Sequence, residues 1–125
     1  MVMRTKLDRE DQVALINGFN RALKRQVRFT AHAFDRVYDR FRSSYGIVDP
    51  YIVTGAIRKL ASDPIKLTRL FDNLALGKQV AVCDKDESVQ ILLTGTEEIS
   101  VISVINSVAF KNQTQSGKLE VLYAA

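Results

Sequence analysis

The spacing of the apolar residues changes once along the chain, near Gly77. Before that residue, apolar side chains recur every three or four positions, which is the period of amphipathic helices. After it come short runs rich in β-branched residues, separated by polar turns, as in strands. Helices followed by strands joined by short turns predict an α+β fold, with the N-terminal helices packed on one face of a small antiparallel sheet of about four strands.

The chain of 125 residues has the length of one domain and contains no evident internal repeat. We therefore predict a single domain over residues 1–125. Within it, residues 1–74 form a mainly helical, basic part, and residues 78–125 form a mainly β part.

Capping residues predict where the helices begin. An Asp or Thr before an apolar-periodic stretch supplies a side-chain oxygen to the first backbone N–H groups of a helix, and a following proline strengthens the signal. Gly46 is expected to end the second helix. The expected N-terminal caps are Asp8, Thr30, Asp49 and Asp63.

The strands are less regular than the helices. Ser100 and Ser103 lie three apart in Ile99–Ile105, so strict alternation fails there and a helix is an alternative interpretation. The expected strands are Gln79–Cys83, Ser88–Thr94, Ile99–Ile105 and, at a sheet edge, Lys118–Tyr123. Val27–Phe29 is either a small strand or an extended lead-in to the second helix.

Composition points to a reducing, membrane-free setting. Cys83 is the only cysteine, so it has no partner for an internal disulfide, and a buried small apolar side chain is its simplest interpretation. The first residues lack the apolar core of a signal peptide, and no apolar run reaches the length of a membrane span. We expect a cytoplasmic protein, in a bacterial host if a phage encodes it.

The charge is concentrated in the helical part. The net charge is +4 and the isoelectric point is about 9.4, and most Lys and Arg residues lie in the first 72 positions. A basic face of this kind attracts phosphate backbones, although a merely solvated helical surface would have the same composition. The densest cationic stretch comprises Arg21, Lys24, Arg25, Arg28, Arg36, Arg40 and Arg42.

Several site classes are excluded by pattern. The six glycines are scattered and match no phosphate-binding loop. One histidine and one cysteine cannot form the usual zinc site. We therefore expect neither a metal nor a cofactor.

One segment combines groups suited to RNA cleavage. His32 lies in the first turn of the second helix, with Arg36 and Arg40 one and two turns further on. A helix N-terminus and two guanidinium groups suit a phosphate, and an imidazole can transfer a proton near neutral pH. Alternatively, His32 only forms a hydrogen bond at the helix start, and Asp35, Arg36, Asp39 and Arg40 pair with one another.

The pattern F-T-x-H-A-x-x-R-x-x-x-R over residues 29–40, followed by further helix and a sheet, resembles the RelE-like ribonuclease superfamily, in particular the phage RegB endoribonucleases and small toxins. The resemblance covers residues 27–107 in element order and about twelve residues in motif. It implies a RelE/RegB-like fold and metal-independent cleavage of mRNA, often on the ribosome.

The resemblance also implies roles for residues. His32 would be the acid/base residue, Arg36 a phosphate ligand and Arg40 a second cation. Ser103 or Asn106 would line the floor of the site. RegB-like enzymes use a second histidine, which this chain lacks, so the other proton would come from another group. The candidates are Tyr38, Tyr45, Lys78 and Asp84.

The sequence thus predicts an endoribonuclease that cleaves mRNA by attack of the 2′-OH on the adjacent phosphate. A non-enzymatic regulatory or host-takeover protein that binds nucleic acid or a protein partner, such as an antitoxin, is the alternative. An assembly subunit is a third. The expected RNA-binding residues are Arg21, Lys24, Arg25, Arg28, Arg42, Ser103 and Asn106.

Overall fold

The computed structural model of the protein describes residues 5–84, 89–105 and 119–124. Within these ranges the chain has an α+β fold, as the sequence predicts. The elements in chain order are α1 (Arg9–Leu23), β1 (Val27–Phe29), α2 (Ala31–Phe41), α3 (Pro50–Ala61), α4 (Pro64–Ala75), β2 (Gln79–Cys83), β3 (Gln90–Thr94), β4 (Ile99–Ile105) and β5 (Leu119–Tyr123).

All four expected helix caps are confirmed. Each of the four side chains accepts a hydrogen bond from a backbone N–H group in the first turn of its helix, and those N–H groups would otherwise have no partner. The acceptor and donor residues are Asp8 and Asp11, Thr30 and Ala33, Asp49 and Tyr51, and Asp63 with both Ile65 and Lys66.

The predicted end of the second helix at Gly46 is wrong. Helix α2 ends at Phe41, because Arg42 has extended backbone (φ −69°, ψ 142°) and forms an antiparallel bridge with Val48. Gly46 lies in the loop between those two residues, where it adopts a φ of 76°. Its N–H donates to the carbonyl of Ser43 (2.9 Å), so the glycine closes a turn in this loop.

The sheet differs from the predicted four antiparallel strands. The described residues form a five-stranded sheet in the order β1-β4-β3-β2-β5. Strand β3 is antiparallel to both neighbours, whereas β1 is parallel to β4 and β5 is parallel to β2. The prediction failed because apolar alternation identifies a strand but does not say which distant strand will pair with it, or in which direction.

The two faces of the sheet have different surroundings. The buried residues of all four helices belong to one core cluster, which includes alternate strand residues such as Val80, Leu93 and Val101. The intervening residues Ala81 and Leu92 face the other way and belong to a second, smaller cluster without helical members. The described helices therefore cover one face.

A bulge explains the irregular spacing of the serines in β4. Leu93 pairs with Val101 but Leu92 pairs with Ser103, so Ile102 is an extra residue on β4. Because of this extra residue, Ser100, which pairs with Thr94, and Ser103 point to the same face, away from the helices. Segment 99–105 is thus a strand, and the alternative of a helix is excluded.

Helices α1 and α3 approach each other closely at Gly18. A Cβ atom on Gly18 would lie 2.5 Å from Cγ2 and 2.9 Å from Cβ of Thr54. Such distances are well inside van der Waals contact, so only glycine allows this approach without movement of a neighbour. The presence of a glycine in the middle of a helix, which propensity disfavours, follows from this contact.

Candidate nucleic-acid interface

The start of α2 is fixed to the sheet by Thr30. Its hydroxyl accepts the cap hydrogen bond from the Ala33 N–H (3.0 Å) and donates to the carbonyl of Ile102 (3.2 Å). Its backbone N–H donates to the carbonyl of Val101 (3.1 Å). Because His32 is two residues from this cap, its backbone position is set by β4.

His32, Arg36 and Arg40 follow one another at intervals of four along α2, and we call them the α2 stripe. His32 and Arg40 are exposed, and Arg36 is half-buried. The Arg36 Nε–H donates a long hydrogen bond to His32 Nε2 (3.4 Å). In this contact Nε2 acts as the hydrogen-bond acceptor.

The two acidic residues of α2, Asp35 and Asp39, contact Lys6 and Arg42 and not the arginines of the α2 stripe. Asp35 accepts from the backbone N–H of Lys6 (2.9 Å). Asp39 lies 3.4 Å from Lys6 Nζ and 3.3 Å from Arg42 Nη1. In residues 5–84, 89–105 and 119–124 no ion pair joins Arg36 or Arg40 to a carboxylate. The interpretation that Asp35, Arg36, Asp39 and Arg40 pair with one another is therefore not what the structure shows.

The remaining predicted cations are spread over several elements. Lys24 caps the end of α1 in left-handed backbone (φ 54°), and the Arg25 guanidinium lies 4.0 Å from the centre of the Phe71 ring. Arg28 lies on β1, 3.4 Å from Glu98, and both side chains are exposed. Such a contact adds little stability and is easily exchanged for a ligand. Arg42 lies 5.0 Å over the Tyr38 ring as well as close to Asp39.

Ser103 does not share a surface with the α2 stripe. It pairs with Leu92 and is largely buried on the sheet face away from the helices, whereas the buried residues of α2 pack on the opposite face. The expectation that Ser103 lines a floor beneath His32 does not match this arrangement, and the bulge at Ile102 is the reason. Asn106 lies outside the described residues.

The four candidates for a second proton-transfer group lie in different environments. Tyr38 is half-buried, Tyr45 is exposed in the loop after α2, and Lys78 is half-buried just before β2. The Asp84 carboxylate accepts from the Val89 N–H (3.0 Å) at the β2–β3 connection. Nothing in these contacts selects one of them.

A cleft that the sequence did not indicate opens between α1 and α3. Its volume is about 200 Å³. Of its lining residues only Arg21 belongs to the predicted RNA-binding set. The mid-helix Gly18 was the one available signal, because a small residue often marks a close approach of two helices. The cleft is lined by Gly18, Arg21, Ala22, Tyr51, Thr54 and Arg58.

The opposite end of α1 is acidic. The pKa of Asp11 is raised, chiefly by burial of its carboxyl group. The negative charge of Asp8 and a hydrogen bond with Asp8 raise this pKa further, and the charges of Glu10 and Asp49 add to the effect. Helix α1 has Glu10 and Asp11 in its first turn and Arg21 in its last turn, so its terminal charges are arranged as the helix dipole favours and the cation lies away from the carboxylates.

We expect Asp11→Asn to stabilise the protein at neutral pH. A folded-state pKa above the unfolded value means that stability is greatest below the unfolded pKa and falls as pH rises through the folded pKa. The ionised carboxylate thus destabilises the fold at pH 7. Urea unfolding at pH 7 and near pH 4 measures this, with Asp72→Asn as the control. An equal or larger gain near pH 4 would contradict the assignment.

In the described ranges no group of three His, Cys, Asp or Glu residues is placed to hold a metal ion. The helices of the same ranges are too short or too polar to cross a bilayer.

Comparison with protein families, curated sequences and solved structures gave no significant match to this chain.

Proposed function

We propose that this protein is a metal-independent endoribonuclease, related to the RelE/RegB-like enzymes, that holds the RNA backbone on the α2 stripe. The observation that carries the proposal is the pairing of His32 with Arg36 on an exposed helix face. There a proton acceptor lies next to a cation that the neighbouring carboxylates do not neutralise. Arg40, one turn further on, adds a second cation for the same phosphate.

In the proposed reaction the 2′-oxygen attacks the adjacent phosphorus while the bond from phosphorus to the 5′-oxygen breaks. Arg36 moves from His32 Nε2 to a non-bridging phosphate oxygen, which frees the Nε2 lone pair to take the 2′-OH proton. Arg36 and Arg40 stabilise the charge that develops on the phosphorane. A second group returns a proton to the 5′-oxygen. The products are a 2′,3′-cyclic phosphate and a 5′-hydroxyl.

The proposed substrate is mRNA in the cytoplasm, free or on the ribosome. An antitoxin or other protein partner that covers the α2 stripe would control an enzyme of this type. No metal or cofactor enters the proposed reaction.

Non-enzymatic binding of nucleic acid is the second candidate. Its supporting observation is the position of Ser103 on the opposite sheet face, which leaves the α2 stripe without the predicted floor. A stripe that only binds needs no enclosing groups, because phosphate contacts act from an open surface.

The deciding experiment incubates end-labelled RNA, free and ribosome-bound, with the protein in EDTA. The nuclease proposal expects fragments that end in 2′,3′-cyclic phosphate. Absence of cleavage on both substrates, with binding that weakens steeply as salt rises, would replace it by the binding candidate. Absence of both cleavage and binding would reject both.

A further inference from the structure

We propose that the cleft between α1 and α3 binds one unpaired nucleotide of an RNA strand, with the base on the Tyr51 ring and the phosphate between Arg21 and Arg58. The inference rests on the RNA contact proposed above, but it concerns a different surface from the α2 stripe. It gives the protein a separate site that selects single-stranded RNA.

The two arginines are the first argument. Arg21 on α1 and Arg58 on α3 line the same small cleft, and none of its six lining residues is acidic. Two cations held at one cleft repel each other unless an anion lies between them. In the described part of the chain neither arginine forms an ion pair with a carboxylate. A planar guanidinium on each side suits the oxygens of a phosphate group.

The exposed aromatic ring is the second argument. Tyr51 is 68% exposed although it is a large, partly apolar side chain at the start of α3. An unpaired base has a flat π-face that stacks on such a ring, whereas a base inside a duplex does not present that face. An aromatic ring beside two guanidinium groups therefore matches a base and its phosphate together.

The shape of the cleft is the third argument. Gly18 and Ala22 contribute almost no side-chain volume, and Thr54 is held against Gly18, so the floor is small-sided and largely apolar. A volume of about 200 Å³ is below the size of pockets that enclose drug-sized ligands, and it admits the phosphate group while the base lies on the exposed Tyr51 ring. Arg21 lies on α1 and Arg58 on α3, and the packing of these two helices fixes the backbone positions from which both side chains reach the cleft.

The test measures binding of a short fluorescent oligouridylate whose 2′-hydroxyls are methylated, so that 2′-OH attack cannot consume it. Tyr51→Leu is expected to weaken this binding about tenfold, from the loss of one stacking contact. Binding of an RNA duplex of the same length should stay within twofold. Tyr123→Leu is the matched control, because Tyr123 is also exposed (47%) and lies outside the cleft.

The salt dependence of RNA affinity distinguishes the contribution of Arg21 and Arg58 from that of the Tyr51 ring. Arg21→Ala and Arg58→Ala should each reduce the slope of log affinity against log salt by about 0.7, the value for one phosphate contact on a single strand. Tyr51→Leu should leave the slope unchanged. Lys59→Ala, an exposed cation on the same helix and outside the cleft, is the control for general charge.

The proposal is overturned if the three cleft variants bind the oligouridylate within twofold of the wild type, or weaken duplex and single strand equally. Displacement of the probe by polyglutamate at a lower concentration than by unlabelled methylated oligouridylate would assign the cleft to an acidic peptide and also overturn the proposal. Failure of RNA cleavage in EDTA bears only on the nuclease proposal, because the methylated probe reports binding alone.

Discussion

His32→Gln is expected to lower the rate of RNA cleavage about a hundredfold or more while leaving RNA affinity within a few-fold of the wild type. The glutamine Oε1 accepts the Arg36 hydrogen bond that His32 Nε2 accepts in the structure, so the guanidinium keeps its position. The amide cannot take the 2′-OH proton. The measurements are single-turnover cleavage of labelled RNA and binding of the methylated probe.

Arg36 is expected to act differently from His32. Arg36→Ala removes a phosphate ligand and should weaken both binding and cleavage, whereas Arg36→Lys keeps the charge and should restore binding more than cleavage. Arg69→Ala, an exposed arginine on α4, is the control. Cleavage by His32→Gln at the wild-type rate would rule out His32 as the proton-transfer group, whatever the Arg36 variants do.

Gly18→Ala is expected to destabilise the protein, by up to about 2 kcal/mol. The new methyl group would overlap Thr54, a cost of about 1–3 kcal/mol for overpacking. Better helix propensity offsets about 1 kcal/mol of this at most. The measurement is the free energy of unfolding in urea.

Gly55→Ala on α3 is the matched control, because nothing lies within 4 Å of the Cβ atom that it would add. This change should stabilise the protein by about 0.5–1 kcal/mol. Adding Thr54→Ala to Gly18→Ala removes the closest clashing atom and should recover part of the loss, as a coupling in a double-mutant cycle. Stabilisation by Gly18→Ala would show that the two helices separate without cost.

Local signals carried most of the secondary structure. The caps Asp8, Thr30, Asp49 and Asp63 act within a few residues, and sequence alone located all four. The end of α2 was missed because the bridge between Arg42 and Val48 removes Arg42 from the helix before Gly46 is reached. That bridge depends on a residue beyond the local pattern.

Contacts between distant segments were not predictable. Ser100 and Ser103 lie three residues apart in β4, which is irregular for a strand. Only the pairing with β3 shows that the bulge at Ile102 places both serines on the same face. Parallel pairing of β1 with β4 leaves no mark in either segment. Neither the bulge nor the parallel pairing can be predicted unless it is known which strands lie next to each other in the sheet.

The candidate site divides in the same way. The four-residue spacing of His32, Arg36 and Arg40 follows from helix geometry and was available from the sequence. The contacts of Asp35 and Asp39 with Lys6 could not be predicted from the sequence, because they join segments that lie far apart in the chain. The cleft at Tyr51 was missed because it exists only where two helices meet.

The pairing of β1 with β4 also sets an order of assembly. Strand β1 is made early, yet its partner follows only after three helices and two further strands. Contacts between such distant segments form slowly, because a long loop must close first. During synthesis the apolar sides of α1–α4 are therefore not fully covered until β3 and β4 are made, and we expect aggregation to compete most with folding in this interval.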